Sequence, residues 1–203
     1  MSSALMANFA AAQRRFDRSR MSSRRIFIAL MASAAAQRAT SQYQMQCQWP
    51  STARLIDPGR QHITLAFLGN IEDTVEAQLI SALARVPMAP LYLKLTRAEM
   101  FSNGVAVLRV EENSALEHLQ GDLCALVRSL GLSVDSKPWL PHVTIAREAA
   151  GCVLSREPLA IEWDSLQFSL VWSRPAVGYD VLQSWPSSPR KASTASISRS
   201  AKV

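Results

Sequence analysis

No apolar run in this 203-residue chain approaches the roughly 20 residues a helix needs to cross a bilayer, so no membrane-spanning helix is expected. The three cysteines, Cys47, Cys124 and Cys152, form no CxxC pair and have no histidine at metal-ligand spacing. Neither a structural zinc nor a disulfide framework is expected. A scattered, odd set of thiols suits a reducing compartment, which points to a cytoplasmic protein with its cysteines acting as small core residues. No cluster of carboxylates suggests a metal site or a bound cofactor. A basic face is also missing from most of the chain, although the formal net charge is +6. Residues 1–25 carry a net +5 and residues 187–203 a net +4, which leaves −3 for residues 26–186. A broad duplex-binding surface is therefore disfavoured, while a small pocket for one phosphate remains open.

The 48% hydrophobic and 19% charged content fits a soluble globular protein of one domain, or of two small lobes sharing a core. Residues 1–23 are rich in Ala, Ser and Arg and poor in acid, a composition like that of an organellar transit peptide. Met21, however, begins MSSRRIFIAL and repeats the MSS of the start, so residues 1–23 are expected to be a disordered or mis-assigned extension. Residues 187–203 have few large apolar side chains and read as a disordered basic tail. The domain is expected to run from 24 to 186 as a monomer.

Within it, RRIFIAL (24–30) reads as a strand, followed by a helix over about 32–47. The turn signal Asp57-Pro58-Gly59 precedes the strand HITLAFLG. Asp73 has the spacing of an N-cap for a helix reaching about Arg85. LYLKLTRAEMF and GVAVLRV read as a hairpin turning at Asn103-Gly104. Ser114 looks like the N-cap of a helix that Gly131 closes. PHVTIARE, a loop led by Gly151 and the strands SLQFSLVWS and GYDVLQSW complete the chain. This order predicts an α+β fold of two pseudo-duplicated lobes. Each lobe would be an antiparallel sheet with helices on the outside, its His-x-Thr strand facing a central cleft.

His-x-Thr is the pattern that carries chemistry. There are three histidines and seven threonines, so a given histidine meets threonine two places on with a chance of roughly 3%. Two of the three do so, in HIT (62–64) and HVT (142–144). Residues i and i+2 of a strand share a face, so His62 pairs with Thr64 and His142 with Thr144, while aliphatic neighbours anchor each strand behind. Ile63, Leu65 and Phe67 are expected together in the core. Two imidazoles can take a proton from a nucleophile and give one to a leaving oxygen, and hydroxyls can hold the oxygens of a phosphodiester. His118 lies in a helical pattern without a threonine partner and reads as a surface residue. Arg147 has the wrong strand parity for the pocket unless a bulge turns it inward, so it is either a phosphate ligand or a solvated charge. Trp139 either stacks on a nucleobase or covers the core.

HITLAFLG and PHVTIAR resemble the two HxTx signatures of the 2H phosphoesterase superfamily. RRIFIAL, TLAFLG and the terminal frame Ser173, Tyr179, Leu182 and Trp185 are similar to its RNA 2′,3′-cyclic phosphodiesterase (2′-5′ RNA ligase) branch over about residues 24–186. The stretch MASAAAQRATSQYQMQCQW departs from the family, which there has a short polar turn into its first helix. The resemblance implies metal-independent hydrolysis of RNA 2′,3′-cyclic phosphate ends to 2′-phosphate ends, with reverse 2′-5′ ligation. It implies His62 as proton donor to the leaving 3′ oxygen, His142 as proton acceptor from water, and Thr64 and Thr144 as ligands of the phosphate. The competing readings are a phosphodiesterase for small cyclic nucleotides or 2′-5′ oligonucleotides, and a non-catalytic module that binds RNA ends.

Overall fold

The computed structural model describes residues 23–135, 137–174 and 177–187. The two terminal segments predicted to be disordered lie almost wholly outside these residues. Among the described residues there are nine strands, numbered in chain order: β1 (Ser23–Met31), β2 (Arg54–Leu55), β3 (His62–Glu72), β4 (Leu91–Phe101), β5 (Val105–Val110), β6 (His142–Arg147), β7 (Ile161–Ser165), β8 (Gln167–Arg174) and β9 (Gly178–Pro186). The α-helices of the described residues are α1 (Ala34–Met45), α2 (Asp73–Leu83) and α3 (Ser114–Ser129).

The strands join in the order β7-β4-β5-β6-β3-β1-β8-β9, with β2 beside β6, and every pairing is antiparallel. The sheets expected for two lobes are thus hydrogen-bonded into one path. Its middle is the β3–β6 junction, where a single residue pair, Ile63 with Val143, is in register. Past that pair β2 takes over the same edge of β6, at Ala146 and Arg147. The two motif strands therefore touch once and then diverge, which opens a cleft. A strand–helix–strand unit occurs on each side of the junction. β1-α1-β3 and β5-α3-β6 both end on the motif strand, which lies beside the strand that began the unit.

Local chemistry accounts for the boundaries. The Ser33 side chain accepts from the Ala36 amide and starts α1. The cap of α3 is Asn113, whose Oδ1 accepts from Leu116 N at 3.0 Å, one residue before the predicted Ser114. α2 opens at Asp73 with Glu72 in the cap position and no side-chain cap bond, so Asp73 and Glu76 face the positive helix end from within the first turn. Gly104 takes φ +75° in the β4–β5 hairpin, a conformation open to glycine. β2 and β7 were not anticipated. Two exposed residues carry no alternation, and five-residue β7 merged with the pattern of β8.

One face of the sheet carries the core. Ile26, Ile28, Leu30, Ile63, Leu65, Val143 and Ile145 pack there with Leu79, Leu83, Leu116, Leu123 and Val127 of the helices. The other face is open apart from a small group of Phe27, Ala29 and Val171, flanked by Met31 and Tyr179. The histidines lie on this open face.

Ile63 is fully buried at the junction. Ile63→Ala is expected to cost about 2–5 kcal/mol by loss of burial and formation of a cavity. Urea unfolding of the variant beside the wild type would measure it, and a change under about 1 kcal/mol would show that the junction is not held by this side chain.

Candidate active site

Antiparallel register around Ile63 and Val143 sets His62 across from Thr144, and Thr64 across from His142. The four side chains thus stand on one face around an approximate two-fold axis through the junction. Two residues before each histidine, a backbone carbonyl meets its ring. His62 Nδ1 lies 2.7 Å from Arg60 O, and His142 Nδ1 lies 2.6 Å from Leu140 O. A carbonyl accepts only, so in each ring Nδ1 carries the proton of that bond and Nε2 is left for a ligand. Phe27 and Tyr179 wall the His62 ring, with centroids 4.8 Å and 5.2 Å away, and Phe101 meets His142 edge-on at 5.1 Å.

Burial lowers the pKa of both histidines below the ordinary imidazole value. The carbonyl bonds oppose this. The positive charges of His142, Arg147 and Arg60 lower His62 further, whereas Arg109 and Arg147 lower His142 and Glu99 raises it. The free site thus favours neutral imidazoles, and a bound anion would restore the tendency of either ring to hold a proton.

Each motif strand bulges three residues after its histidine. In the β1–β3 pairing Ala29 faces Thr64 and Ile28 faces Ala66, which leaves Leu65 over. In the β5–β6 pairing Val107 faces Thr144 and Ala106 faces Ala146, which leaves Ile145 over. An extra residue reverses the parity of the positions beyond it. Leu65 and Ala66 are both buried, as are Ile145 and Ala146, and the next side chain emerges on the open face. That side chain is Arg147 on β6, which lines the cavity. On β3 it is Phe67, expected in the core but 42% exposed, with the Arg25 guanidinium 4.9 Å over its ring.

Two adjoining cavities share Thr64 and Phe67. One, of about 330 Å³, is walled by Arg25, Arg60, His62, Arg147, Arg174 and Tyr179, among others. The other, of about 570 Å³, contains Phe101, Lys137, Trp139 and His142. Trp139 both lines this cavity and packs against the core, with its Nε1 donating to Thr64 O at 2.9 Å. Thr144 is half-buried beside His142 but walls neither cavity. His118 is exposed on α3. Among the described residues no group of three or more His, Cys, Asp or Glu side chains could hold a metal ion, and the three cysteines are free.

Sequence reasoning missed the glutamines that support the bulges. The Ile145 carbonyl accepts from Ile56 N at 2.8 Å and has a second lone pair for a side-chain donor. Gln44 of α1, nearly fully buried, donates through Nε2 to Ile145 O at 2.7 Å and to Ile56 O at 3.1 Å. Its Oε1 accepts from Gln61 Nε2 at 3.4 Å, and Gln61 in turn accepts from the Thr40 hydroxyl. Gln61 directly precedes His62, so one buried chain joins α1 to both motifs. Gln120 of α3 reaches Leu65 O, the bulge on the other motif strand, at 3.4 Å. The available signal was weak: a glutamine on the inward side of a Gln-rich helix looks like its neighbours.

The family model described as the 2′-5′ RNA ligase superfamily matches residues 32–170, which include both motifs. The chain belongs to the 2′-5′ RNA ligase superfamily. A protein named RNA 2′,3′-cyclic phosphodiesterase from Geobacillus stearothermophilus is 40% identical over 96 residues, which are 44% of this chain and 31% of that protein. One of the same name from Bacillus subtilis is 29% identical over 102 residues, 47% of this chain and 56% of that one. The matches thus span less than two thirds of the length of either relative. The crystal structure of Escherichia coli LigT with 3′-AMP superposes with a TM-score of 0.74 at 22% identity, covering 82% of this chain and 99% of that one. That of Thermus thermophilus TT0787 gives 0.66 at 26% identity, covering 80% and 97%. These superpositions bear out the α+β fold.

The site's buried polar groups give two expected outcomes. Gln44→Leu strands the Ile56 carbonyl and half of the support of Ile145, so it should cost about 1–3 kcal/mol. Gln42→Leu, exposed on the same helix, should stay within about 0.5 kcal/mol, and equal effects in urea melts would refute the role of Gln44. The lowered histidine pKa values also set a pH dependence. Between the folded values and the unfolded value of about 6.5, the unfolded chain binds more protons, so stability is retained above that pH and lost as pH falls below it. Thermal melts from about pH 7.5 to about 5.5 should show a fall in Tm that is smaller in His62→Gln and in His142→Gln. An unchanged slope in both would exclude these rings as its source.

Proposed function

We propose that this chain hydrolyses the 2′,3′-cyclic phosphate end of RNA, leaving a 2′-phosphate, by acid–base catalysis between His62 and His142. The observation that carries this reading is the pair of imidazoles with Nδ1 tied back to a carbonyl and Nε2 free, on either side of one cleft. A cyclic phosphodiester needs a proton removed from the attacking water and one delivered to the departing ribose oxygen, and two such rings supply both. Thr64, Thr144 and Arg147 supply donors for the non-bridging oxygens.

The two cavities also support a direction. In a ribose, O2′ adjoins the carbon bearing the base, and O3′ adjoins the carbon bearing the 5′ arm. Both cavities carry aromatic rings, but the one on the His142 side is larger and mostly apolar, with Trp139 and Phe101 in its wall, and suits a base, whereas arginines make the His62 side polar. A base there leaves O3′ nearest His62. His62 as proton donor then releases O3′, while His142 takes the proton from a water attacking in line, and the product carries a 2′-phosphate. A 5′-hydroxyl of a second strand attacking in place of water, deprotonated by His142 while His62 protonates the departing O3′, gives 2′-5′ ligation, and the reverse cleavage exchanges the two roles. Small 2′,3′-cyclic nucleotides meet the same groups, which makes them a second substrate class.

The test is hydrolysis of a short RNA ending in a 2′,3′-cyclic phosphate, with EDTA present and the product assigned by phosphorus NMR. Wild type should turn it over to the 2′-phosphate, and His62→Ala and His142→Ala should each lose about 10²–10⁴-fold in kcat. Turnover retained in either variant, or a 3′-phosphate product, would overturn the assignment. No turnover of this RNA or of small cyclic nucleotides, with binding intact, would leave the RNA-end-binding reading.

A further inference from the structure

A cyclic phosphodiester carries one negative charge, and the cavity beside His62 offers far more positive charge than that. Arg25, Arg60, Arg147 and Arg174 all line it. Arg174 is paired with Asp180 at 2.6 Å. Among the described residues the ion pairs involve none of the other three. Three uncompensated guanidinium groups thus converge on about 330 Å³, two of them, Arg60 and Arg147, from residues 26–186, which are net acidic overall. Arg147 belongs to the second motif and faces the cyclic phosphate. The other cations are surplus to it.

They are also ordered rather than merely near. The Arg60 Cζ lies 4.9 Å from the Tyr179 ring centroid, that of Arg25 4.9 Å from Phe67, and that of Arg174 5.2 Å from Trp172. Stacking holds a guanidinium by its face and leaves its N–H edge free for an anion, at little further cost in side-chain entropy. Arg25 is on β1 and Ser173 and Arg174 are on β8, the first and second strands beyond β3 on the side away from β6. This is the side opposite the larger, more apolar cavity.

We propose that Arg25, Arg60, Arg174 and Ser173 form a second phosphate subsite, which takes the 5′ phosphate of the nucleotide whose cyclic phosphate lies between the histidines. The subsite rests on the functional reading above and deepens it. With the base on the His142 side and O3′ toward His62, the 5′ arm leads away from Trp139 toward β1 and β8. Two sources supply the same chemistry there. One is a free 5′-phosphate monoester on a mononucleotide, and the other is the phosphodiester that joins the terminal nucleotide to the rest of an RNA strand. Either way the chain distinguishes phosphate-bearing cyclic ends from a bare nucleoside 2′,3′-cyclic phosphate.

The experiment compares kcat/KM for adenosine 2′,3′-cyclic phosphate with a 5′ hydroxyl, the same compound with a 5′ phosphate, and the dinucleotide ApA ending in a 2′,3′-cyclic phosphate. Wild type should favour a phosphate-bearing form by about tenfold or more, as expected for charge-assisted hydrogen bonds. In Arg25→Gln and in Arg60→Gln that ratio should fall below about threefold. A ratio rather than a rate is compared, so a general loss of activity does not imitate the result. A gain for the monoester alone or for the dinucleotide alone supports the subsite and identifies its source. Equal rates for all three substrates, or a preference that persists in both variants, would overturn it. Calorimetric binding of adenosine 3′,5′-bisphosphate against adenosine 3′-phosphate gives the same ratio without turnover. Preferential binding of the bisphosphate with no hydrolysis would refute the catalytic reading and keep the subsite. Hydrolysis without either preference would do the reverse.

Discussion

Everything at the proposed active site depends on one backbone pairing, Ile63 with Val143. These residues lie between the histidine and threonine of each motif, so joining them brings all four polar side chains to one place. A register slip of one residue would send one pair to the core face. Burial of Ile63 and Val143 opposes that slip, because their aliphatic side chains belong to the core behind the sheet. The pairing is also confined to one position. β2 occupies the next part of the β6 edge, so β3 and β6 separate and leave a cleft instead of closing a flat sheet.

The cleft would be polar but shapeless without the bulges at Leu65 and Ile145. Each bulge sets two consecutive side chains in the core and turns the following one, Phe67 or Arg147, outward. The approximate symmetry of the backbone thus places a ring on one side and a cation on the other. Each bulged carbonyl is met by a glutamine from the helix of the opposite unit, Gln44 for Ile145 and Gln120 for Leu65. This crossed support couples the two units more tightly than their single strand pairing would suggest. Buried and largely satisfied polar groups of this kind define one arrangement, because the alternatives leave a donor or acceptor unpaired.

The electrostatics have the same local character. Around His62 the positive charge is supplied by four arginines, of which Arg25 and Arg60 lie over aromatic rings. Burial first, and those charges with it, lower the pKa of both imidazoles and so favour their neutral form. An anion entering the cleft would offset the charges and shift the balance toward a protonated ring.

The motifs, the order of elements and the inward aliphatic positions were legible in the sequence because each reflects a period of about two residues in a strand or about 3.6 in a helix. Asn103-Gly104 and Gly131 marked turns for an equally local reason, the need for a positive φ. Parity failed at Phe67 because a bulge depends on the partner strand, and nothing within HITLAFLG reveals that Leu65 lies unpaired against β1. Arg147 was undecidable on the same ground. The grouping of Arg25, Arg60, Arg147 and Arg174, and the reach of Gln44 to a carbonyl 101 residues away, are products of sheet order. Alternation along each strand is a local property, so the residues alone assign every side chain to a face as far as the bulges. Which strands meet is settled only when the sheet assembles, since hydrogen bonds between strands are made by a backbone common to all residues and carry no mark of their partner.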